Sequence, residues 1–264
     1  IKILILAGVI ATTPALAFDA GQLEKFKGSN VCKKCDLRGA DLKNGSYKNA
    51  NLAGANLRDV DFKGSDLSGA NLSGAKLRRA DLEKANLSGI NLSKSDLVAV
   101  DMEKANLQGA DLRGADARDA DMDNVNLSGA NLTRIDLGRA DMKRAIMPGA
   151  NFTKANLESV NFERADLVGA NLSGSSLKRA DLDRANFSGA NLSGASLKRA
   201  KIKRTNFRGA DLSEVDFEEI SMRLAHLEGA NLSGAKNLKQ SMLDVACGNA
   251  ATVLPKGMTI KVCK

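Results

Sequence analysis

Large apolar residues recur at every fifth position through most of the chain. They occupy positions 37, 42, 47, 52 and onward to 232, with Ala117 as the small exception, and so define forty consecutive units. Ala or another small or β-branched residue stands two places before each of these centres. A period of five fits neither the 3.6-residue repeat of a helix nor the two-residue repeat of a continuous strand. It predicts a short extended segment followed by a corner, repeated along the chain.

Alternation along an extended backbone gives each unit an inner and an outer surface. The centre and the residue two places before it point the same way, and both are apolar, so they are predicted to face inward. The intervening residue, usually Asp or Asn, and the two corner residues are predicted to face outward. One unit cannot bury its own apolar side chains, so the units must coil and stack on one another.

The corner residues indicate how many units make one coil. Sorted by a period of twenty residues, they fall into four sides, which we name after their first centres: the Leu37, Leu42, Tyr47 and Leu52 sides. On the first two sides 31 of 40 corner positions are charged, whereas on the last two only 8 of 40 are. This split predicts four units per coil, ten coils and a rod about 48 Å long at the usual strand spacing.

Glycine at the second corner residue follows the opposite division. It occupies 2 of 20 such positions on the Leu37 and Leu42 sides and 15 of 20 on the Tyr47 and Leu52 sides. A positive φ favours glycine, as in a type II turn, whereas Arg and Lys suggest a type I turn. The sequence therefore predicts two classes of corner on different edges of one rod.

Units such as ANLSG, ADLRG and ANFSG resemble the A(D/N)LXX consensus of the pentapeptide repeat proteins. The resemblance covers about three quarters of the chain. It implies an all-β fold, a right-handed quadrilateral β-helix (a β-solenoid), but no single function. The best-understood members of the family bind DNA gyrase by mimicking DNA, and many others have no assigned role.

The sequence divides the chain into four predicted segments. Residues 1–17 combine one basic residue, an apolar run and an Ala-Leu-Ala ending, which is typical of a secretory signal peptide. Residues 18–34 are predicted to form an N-terminal cap, in which Asp19 and Gln22 make a helix capping box and Gly28 ends the helix. Residues 35–235 form the solenoid, and residues 236–264 form a C-terminal cap with a short helix and two short strands around a turn.

Two cysteine pairs lie near the ends of the repeat. Cys32 and Cys35 could form a structural disulfide, remain buried thiols or act in thiol exchange. Cys247 and Cys263 are predicted to form a disulfide that fixes the C-terminal cap. Because the pairs lie at opposite ends of the rod, the four thiols cannot share one zinc ion.

Other candidate chemistry is weak. His226, the sole histidine, stands at an outward position and is predicted to be a solvated surface residue. The Leu42 side carries a row of aspartates, which we interpret as a screened surface row and not as a catalytic or calcium site, at positions 41, 61, 81, 101, 121, 141 and 181. We predict no catalytic residue, metal site, cofactor or small-molecule substrate.

A basic cluster is the best functional candidate. Between residues 176 and 208 there are nine Lys or Arg and two Asp. Stacking at twenty residues would join most of them into a basic edge that could bind phosphate or carboxylate groups, comprising Lys178, Arg179, Arg184, Lys198, Arg199, Lys203 and Arg204. The alternative is a solvated face balanced by neighbouring acids.

These observations favour a non-enzymatic, exported scaffold rod, periplasmic or extracellular, that binds a protein or an anionic envelope polymer through the basic edge. With 3% aromatic residues, the chain lacks the stacking groups that nucleic-acid binding uses. After signal cleavage no segment is predicted to span a membrane. The alternatives are a gyrase-binding DNA mimic, which the net charge of +8 opposes, and a CxxC thiol-redox enzyme or other enzyme.

Overall fold

The computed structural model describes residues 18–264, so the predicted signal peptide lies outside the described residues. Two helices flank the repeat, α1 (Ala20–Ser29) and α2 (Gln240–Leu243). Between them the described chain forms no extended strand, and its pairing consists of isolated parallel bridges. No helix among residues 18–264 is long and apolar enough to cross a bilayer.

The bridges join residues that are twenty apart, from Val31↔Asn51 to Asp216↔Lys236. They form four ladders, one on each predicted side. Each bridge lies at the outward Asp or Asn position of a unit, with the corners between bridges. The twenty-residue period therefore agrees with the pattern of charged corners, and the handedness of the coil stays a prediction.

Every backbone N–H of a regular unit has an acceptor, which explains the sequence of the unit. Four of the five donate to backbone carbonyls, three of them on neighbouring coils and one across the corner. The fifth, at the first corner residue, donates to the Oδ1 of the Asp or Asn two places before it, as in an Asx turn. In the unit 105–109 these bonds are Ala105 to Met102 (3.0 Å), Asn106 to Ala85 (3.0 Å), Leu107 to Asn126 (2.7 Å), Gly109 to Ser128 (3.0 Å) and Gln108 to Asn106 Oδ1 (3.2 Å).

The stacking of asparagine amides differs from the expectation. Asn stands at the outward position in eight of the ten coils of the Leu52 side, a pattern that predicts a hydrogen-bonded amide ladder. The Oδ1 atoms there instead mainly accept corner N–H groups, as Asn191 does from Ser193 at 2.9 Å. Amide bonds between coils lie mostly on the Tyr47 side, as between Asn206 Nδ2 and Asn186 Oδ1 at 3.0 Å. The Asx turn at each corner is therefore the main reason for Asp or Asn at the outward position.

The core is the inside of the coil. All forty centres are buried, and so are nearly all of the small residues two places before them. Four of those small positions hold hydroxyl side chains, Ser65, Ser95, Ser175 and Thr205, whose oxygens donate to backbone carbonyls. Burial without a partner would be costly, so these bonds keep the core stable.

The prediction of two corner classes is wrong. The second corner residue of every unit has a positive φ, between 53° and 68°, whether it is glycine or not. Arg139, for example, has φ 62°, and its N–H donates to Glu158 at 2.9 Å as glycine does elsewhere. Its guanidinium also pairs with Asp119 one coil earlier at 2.7 Å. Ladder hydrogen bonds and ion pairs between coils offset the cost of the left-handed backbone.

The predicted helix of the N-terminal cap is present, but Gln22 does not complete the capping box, because its Oε1 accepts the Asp36 N–H at 2.7 Å and the Asp19 N–H donates to the Asp36 carbonyl at 3.2 Å. Asp19 accepts a hydrogen bond from the Gln22 N–H at 3.1 Å, and Leu23 and Phe26 are buried. The Phe26 ring stacks on Tyr47 of the first coil, with centroids 5.2 Å apart. Helix α1 continues past Gly28 and ends at Asn30, whose φ of 55° makes it the left-handed cap.

The C-terminal cap departs from the period. The last ladders continue with one and two extra residues, as His226↔Cys247 and Asn231↔Val253. The turn at residues 256–257 is present, but its flanks do not form a hairpin, because Val253 pairs with Asn231 and Val262 with Gly248. The cysteines of each pair lie at bonding distance, with Cα atoms 5.5 Å apart for Cys32 and Cys35 and 4.9 Å apart for Cys247 and Cys263.

Candidate functional site

The seven predicted basic residues lie at the two corners that flank the Leu42 side. Four of them pair with acids of neighbouring coils. These pairs are Arg179 with Glu158, Arg184 with Glu163 at 3.8 Å, Lys198 with Glu218 at 2.7 Å, and Arg199 with Glu219 at 2.7 Å. The edge is therefore more nearly neutral than its sequence indicates. Within residues 18–264, Lys178, Lys203 and Arg204 form no ion pair.

The hydrogen bonds of one ladder are loosened beside this edge. One coil earlier the Leu42 side is regular, with Lys201 N–H donating to Ala180 at 2.9 Å and Leu182 N–H donating to Lys201 at 2.8 Å. In the next coil Lys201 and Ser221 remain paired in the ladder, but the amides of Ile202 and Ser221 lie outside normal hydrogen-bond geometry to the carbonyls they face. The two coils stay joined by the bond from Arg204 N–H to the Arg223 carbonyl at 3.1 Å.

This loosened part of the ladder lines a shallow groove of about 360 Å³. Its walls carry four basic and two acidic side chains, namely Arg199, Lys201, Lys203 and Arg223, with Asp183 and Glu219. Lys201 replaces the usual outward Asp and pairs with Asp181 at 2.9 Å. The groove thus combines excess positive charge with backbone N–H groups that bond poorly to the neighbouring coil, and both features suit an oxyanion. We call it the coil-nine groove.

Sequence reasoning missed two residues of the coil-nine groove. Lys201 and Arg223 were not among the seven predicted residues, although each is a basic residue on the Leu42 side. The signal was present, since Arg223 follows Lys203 by one period of twenty. Of the seven predicted residues, two line the groove, Arg199 and Lys203, and five do not, namely Lys178, Arg179, Arg184, Lys198 and Arg204.

The acidic row of the Leu42 side lies where the sequence places it. Each aspartate of the row accepts a hydrogen bond from the backbone N–H two residues later, as Asp101 does from Glu103 at 2.9 Å. Burial, together with the charges of Asp81 and Asp121, raises the pKa of Asp101 above its usual value. Lys63 and then Lys84 lower the pKa of Glu83 to about 2. These carboxylates form a surface row along the coil, and the cavities found in the described chain are lined by other residues.

His226 is not the isolated surface residue that the sequence predicts. Its side chain is 38% exposed, and its Nδ1 lies 3.7 Å from the Sγ atoms of both Cys247 and Cys263. Glu228 Oε1 lies 3.4 Å from the same nitrogen, and Arg208 donates to it at 3.1 Å. The extra residue after Ala235 causes this convergence, because it places Cys247 directly on His226 in the ladder.

A groove of about 370 Å³ lies beside this cluster. It is lined by Leu224, Val245, Ala246 and Val262, with Lys261 and Lys264 at its charged part, as well as by His226 and Cys247. Leu224, Val245 and Val262 are among the large apolar side chains exposed in the described chain. The C-terminal end therefore carries a second concave surface, which is apolar where the coil-nine groove is charged.

Comparison with solved structures identifies other pentapeptide repeat proteins. HetL, which is involved in heterocyst differentiation regulation in the cyanobacterium Nostoc sp. strain PCC 7120, is 29% identical over 90% of this chain and 100% of its own, with a TM-score of 0.38. A thylakoid-lumen protein of Arabidopsis thaliana is 36% identical over 39% of this chain and 71% of its own, with a TM-score of 0.38. QnrB1, a plasmid-mediated fluoroquinolone resistance protein, is 22% identical over 74% of this chain and 88% of its own, with a TM-score of 0.23.

A search of curated proteins found no match. The family model for pentapeptide repeats matches eight times, in overlapping copies that begin at residue 35 and end at residue 243. These copies cover the whole bridged part of the repeat and more than half of the chain. Together with the five-residue units and the ladders at twenty residues, this match shows that the chain belongs to the pentapeptide repeat family.

Proposed function

We propose that the protein is a non-enzymatic scaffold rod that binds an anionic partner in the coil-nine groove. The observation that carries this proposal is the loosened ladder on the Leu42 side, where Lys203 and Arg223 flank amides that bond poorly to the neighbouring coil. On the same side the outward amides from Asp61 to Lys201 and the centre amides from Leu42 to Leu182 form normal ladder hydrogen bonds. A carboxylate or phosphate oxygen is the group that cationic side chains and weakly bonded amides bind together.

Charge supports the same choice. The sequence carries a net charge of +8, and the lining of the coil-nine groove alone contributes four cations against two anions. Arg199 pairs with Glu219 and Lys201 with Asp181, so the groove cations without an ion pair in residues 18–264 are Lys203 and Arg223. Arg204, next to Lys203, lies outside the lining and also has no ion pair in that range. The partner we propose is an anionic polymer of the cell envelope or an acidic protein segment. The repeated charges of such a partner would contact several cations along the basic edge, because each single contact would be weak.

We also propose that the chain is exported and works outside the cytoplasm. The signal-like residues 1–17 and the two cysteine pairs at bonding distance support this. In an oxidising compartment both pairs would form disulfides and hold the caps on the ends of the rod. The family resemblance supports a right-handed, quadrilateral coil. Expression in a bacterial host should give a mature chain that begins at Phe18 in the exported fraction, and an intact N-terminus in the cytosol would contradict export.

Binding of the purified full chain to polyglutamate and to polyphosphate tests the anion proposal. Replacing Lys203, Arg204 and Arg223 together by Gln should weaken binding at least tenfold, because these cations have no ion pair among residues 18–264. The matched control replaces Lys94, Arg134 and Lys154 by Gln on the Leu52 side, with the same loss of charge, and should change affinity less than twofold. Equal losses in both variants would show attraction by net charge alone and would refute the groove.

The gyrase-binding alternative makes a different prediction. A mimic of DNA should present negative charge along the rod, and here the acidic row of the Leu42 side runs beside paired lysines and arginines. We therefore expect the purified chain to leave DNA supercoiling by gyrase unchanged. Inhibition of supercoiling that survives the Lys203, Arg204 and Arg223 replacements would instead support the DNA-mimic function.

A further inference from the structure

The C-terminal end brings together four side chains that come from three parts of the chain. His226 and Glu228 belong to the last unit of the Tyr47 side, two residues apart and therefore on the same outer surface. Cys247 stacks on His226 through the last bridge of that ladder. Cys263 is carried back by the bridge between Gly248 and Val262. This is the one group of His, Cys, Asp and Glu within residues 18–264 whose ligand atoms all lie within 4.8 Å of one another.

The separations from His226 to the other three groups fit a tetrahedral zinc site. Zinc bonds of about 2.3 Å to sulfur and 2.0–2.2 Å to nitrogen and oxygen place tetrahedral ligand atoms about 3.3–3.8 Å apart. His226 Nδ1 lies 3.7 Å from each sulfur and 3.4 Å from Glu228 Oε1. The two sulfurs, now at bonding distance, would have to move apart to about 3.8 Å. Reduction of the Cys247–Cys263 bond allows that movement.

The ring nitrogen of His226 that faces the cluster is Nδ1, which contacts the Arg208 guanidinium at 3.1 Å and Glu228 Oε1 at 3.4 Å. A metal ligand needs Nδ1 without a proton, and the guanidinium, which can only donate, favours that tautomer. The same guanidinium donates to Glu228 Oε1 at 2.7 Å. Nδ1 and Oε1 are both acceptors, and they share one cation. A metal ion would take the place of that cation between them.

Glu228 supplies a second, independent observation. Its Oε2 is buried and accepts no hydrogen bond from any described residue. A buried carboxylate oxygen without a partner is costly, and a bound cation would remove the cost. The neighbouring apolar groove, lined by Leu224, Val245 and Val262, leaves the cluster partly open, so an ion can reach it from solvent.

We propose that Cys247, Cys263, His226 and Glu228 form a redox-dependent site for Zn²⁺ or a similar thiophilic divalent metal. A dithiol reductant transfers two electrons to the disulfide, the S–S bond breaks, each sulfur takes a proton, and the reductant becomes a disulfide. Metal binding then displaces the two thiol protons to solvent. The oxidised chain has no thiolates to offer and does not bind. This inference does not depend on the anion proposal.

The test uses cobalt(II) as a spectroscopic probe of the full chain. After reduction with a phosphine, which does not compete for the metal as a dithiol would, one equivalent of cobalt should give the visible bands of a tetrahedral ion and a thiolate charge-transfer band. Zinc should abolish both by displacement. The oxidised chain should give neither. A reduced chain that shows no tetrahedral cobalt spectrum would refute the site.

Variants identify the ligands. Cys263→Ser and His226→Asn should each lose the tetrahedral spectrum, and Glu228→Gln should change it and weaken binding, while far-UV circular dichroism shows that the coil is intact. Arg208→Gln should tighten binding, because the competing cation is gone. The matched control is the Cys32→Ser/Cys35→Ser double variant, which removes the other thiol pair and should bind cobalt like the parent chain. Loss of binding in that control, or a normal spectrum in His226→Asn, would overturn the assignment.

Discussion

The middle of the rod and its C-terminal end are built from the same side chains but differ in what those side chains can do. In the middle, each outward group meets its equivalents one coil away, as Asp101 meets Asp81 and Asp121, so chemistry is displayed in rows. At the end, one extra residue after Ala235 breaks the register, and His226 meets two cysteines and a glutamate. A strict period spreads functional groups along the surface. Sites form where the period fails.

The two regions should also differ in stability, because a solenoid is held by contacts between neighbouring coils. Phe162 is fully buried in the middle and contacts the Phe152 ring, with centroids 6.2 Å apart. Phe162→Ala should lower the free energy of unfolding by about 3–5 kcal/mol, measured by denaturant titration. The outward Ile146, 47% exposed, is the control, and Ile146→Ala should change it by less than about 0.5 kcal/mol. Equal effects would contradict the inward and outward assignment.

The end should depend on its cysteine pair as the middle depends on its core. Removing the Cys247–Cys263 bond, which closes a loop of sixteen residues, should cost about 3 kcal/mol under oxidising conditions. The Cys247→Ala/Cys263→Ala variant should therefore lose amide hydrogen-exchange protection in residues 236–264. Protection around Phe162 should remain as in the parent chain. Uniform loss along the whole rod would show that the end and the middle unfold as one unit.

Corners test whether the regular region has one turn class. Gly109 and Ala99 both have positive φ, 67° and 55°, and both donate a ladder hydrogen bond. A Cβ added to Gly109 would have no atom within 4 Å, so only backbone conformation changes. Gly109→Ala should lower the free energy of unfolding by about 1 kcal/mol, and Ala99→Gly should raise it by a similar amount. Effects of the same sign would contradict a common left-handed corner.

The regular region was predictable from sequence because each side chain there has the same surroundings twenty residues later. The centres, the inward residues and the cap contacts of Phe26 follow from local pattern alone. The corner conformation does not follow from the local pattern. Arg139 adopts a left-handed backbone because its N–H then bonds to Glu158 and its guanidinium pairs with Asp119, both on other coils. The contacts between coils stabilise this backbone by more than the positive φ costs.

The end was less predictable for a related physical reason. The extra residue after Ala235 is visible in the sequence, and Cys247 follows His226 by one circuit plus one residue. That spacing could have indicated the contact. The position of Cys263 next to Cys247 depends on the pairing of Gly248 with Val262, and no repeat in the sequence predicts that pairing. The loosened hydrogen bonds of the ladder at Ser221 likewise have no signal in the five-residue pattern, although the basic residues around them do.

The smallest expected effect compares two carboxylates of the regular region. The pKa of Asp101 is raised by burial and then by neighbouring carboxylates, whereas Arg113 lowers the pKa of Asp111 through a side-chain hydrogen bond. A raised pKa in the folded state stabilises the fold fully below the ordinary value of 3.8, and this contribution is lost as the pH rises through the raised pKa. A lowered pKa has the opposite effect, since its stabilisation is present above the ordinary value and is lost as the pH falls through the lowered pKa.

Asn can replace either aspartate and still accept the corner N–H through its Oδ1, so these variants change charge and keep the Asx turn. At pH 7, Asp101→Asn should therefore raise the free energy of unfolding and Asp111→Asn should lower it, each by at most about 1 kcal/mol. Both differences should shrink as the pH falls toward 4 for Asp101 and below 4 for Asp111. Denaturant titrations at pH 7, 5 and 3.5 measure them. The electrostatic surroundings of the two aspartates have opposite effects on their pKa values. If both variants changed the free energy of unfolding in the same direction, the corner and not the charge would set the contribution of the outward residue.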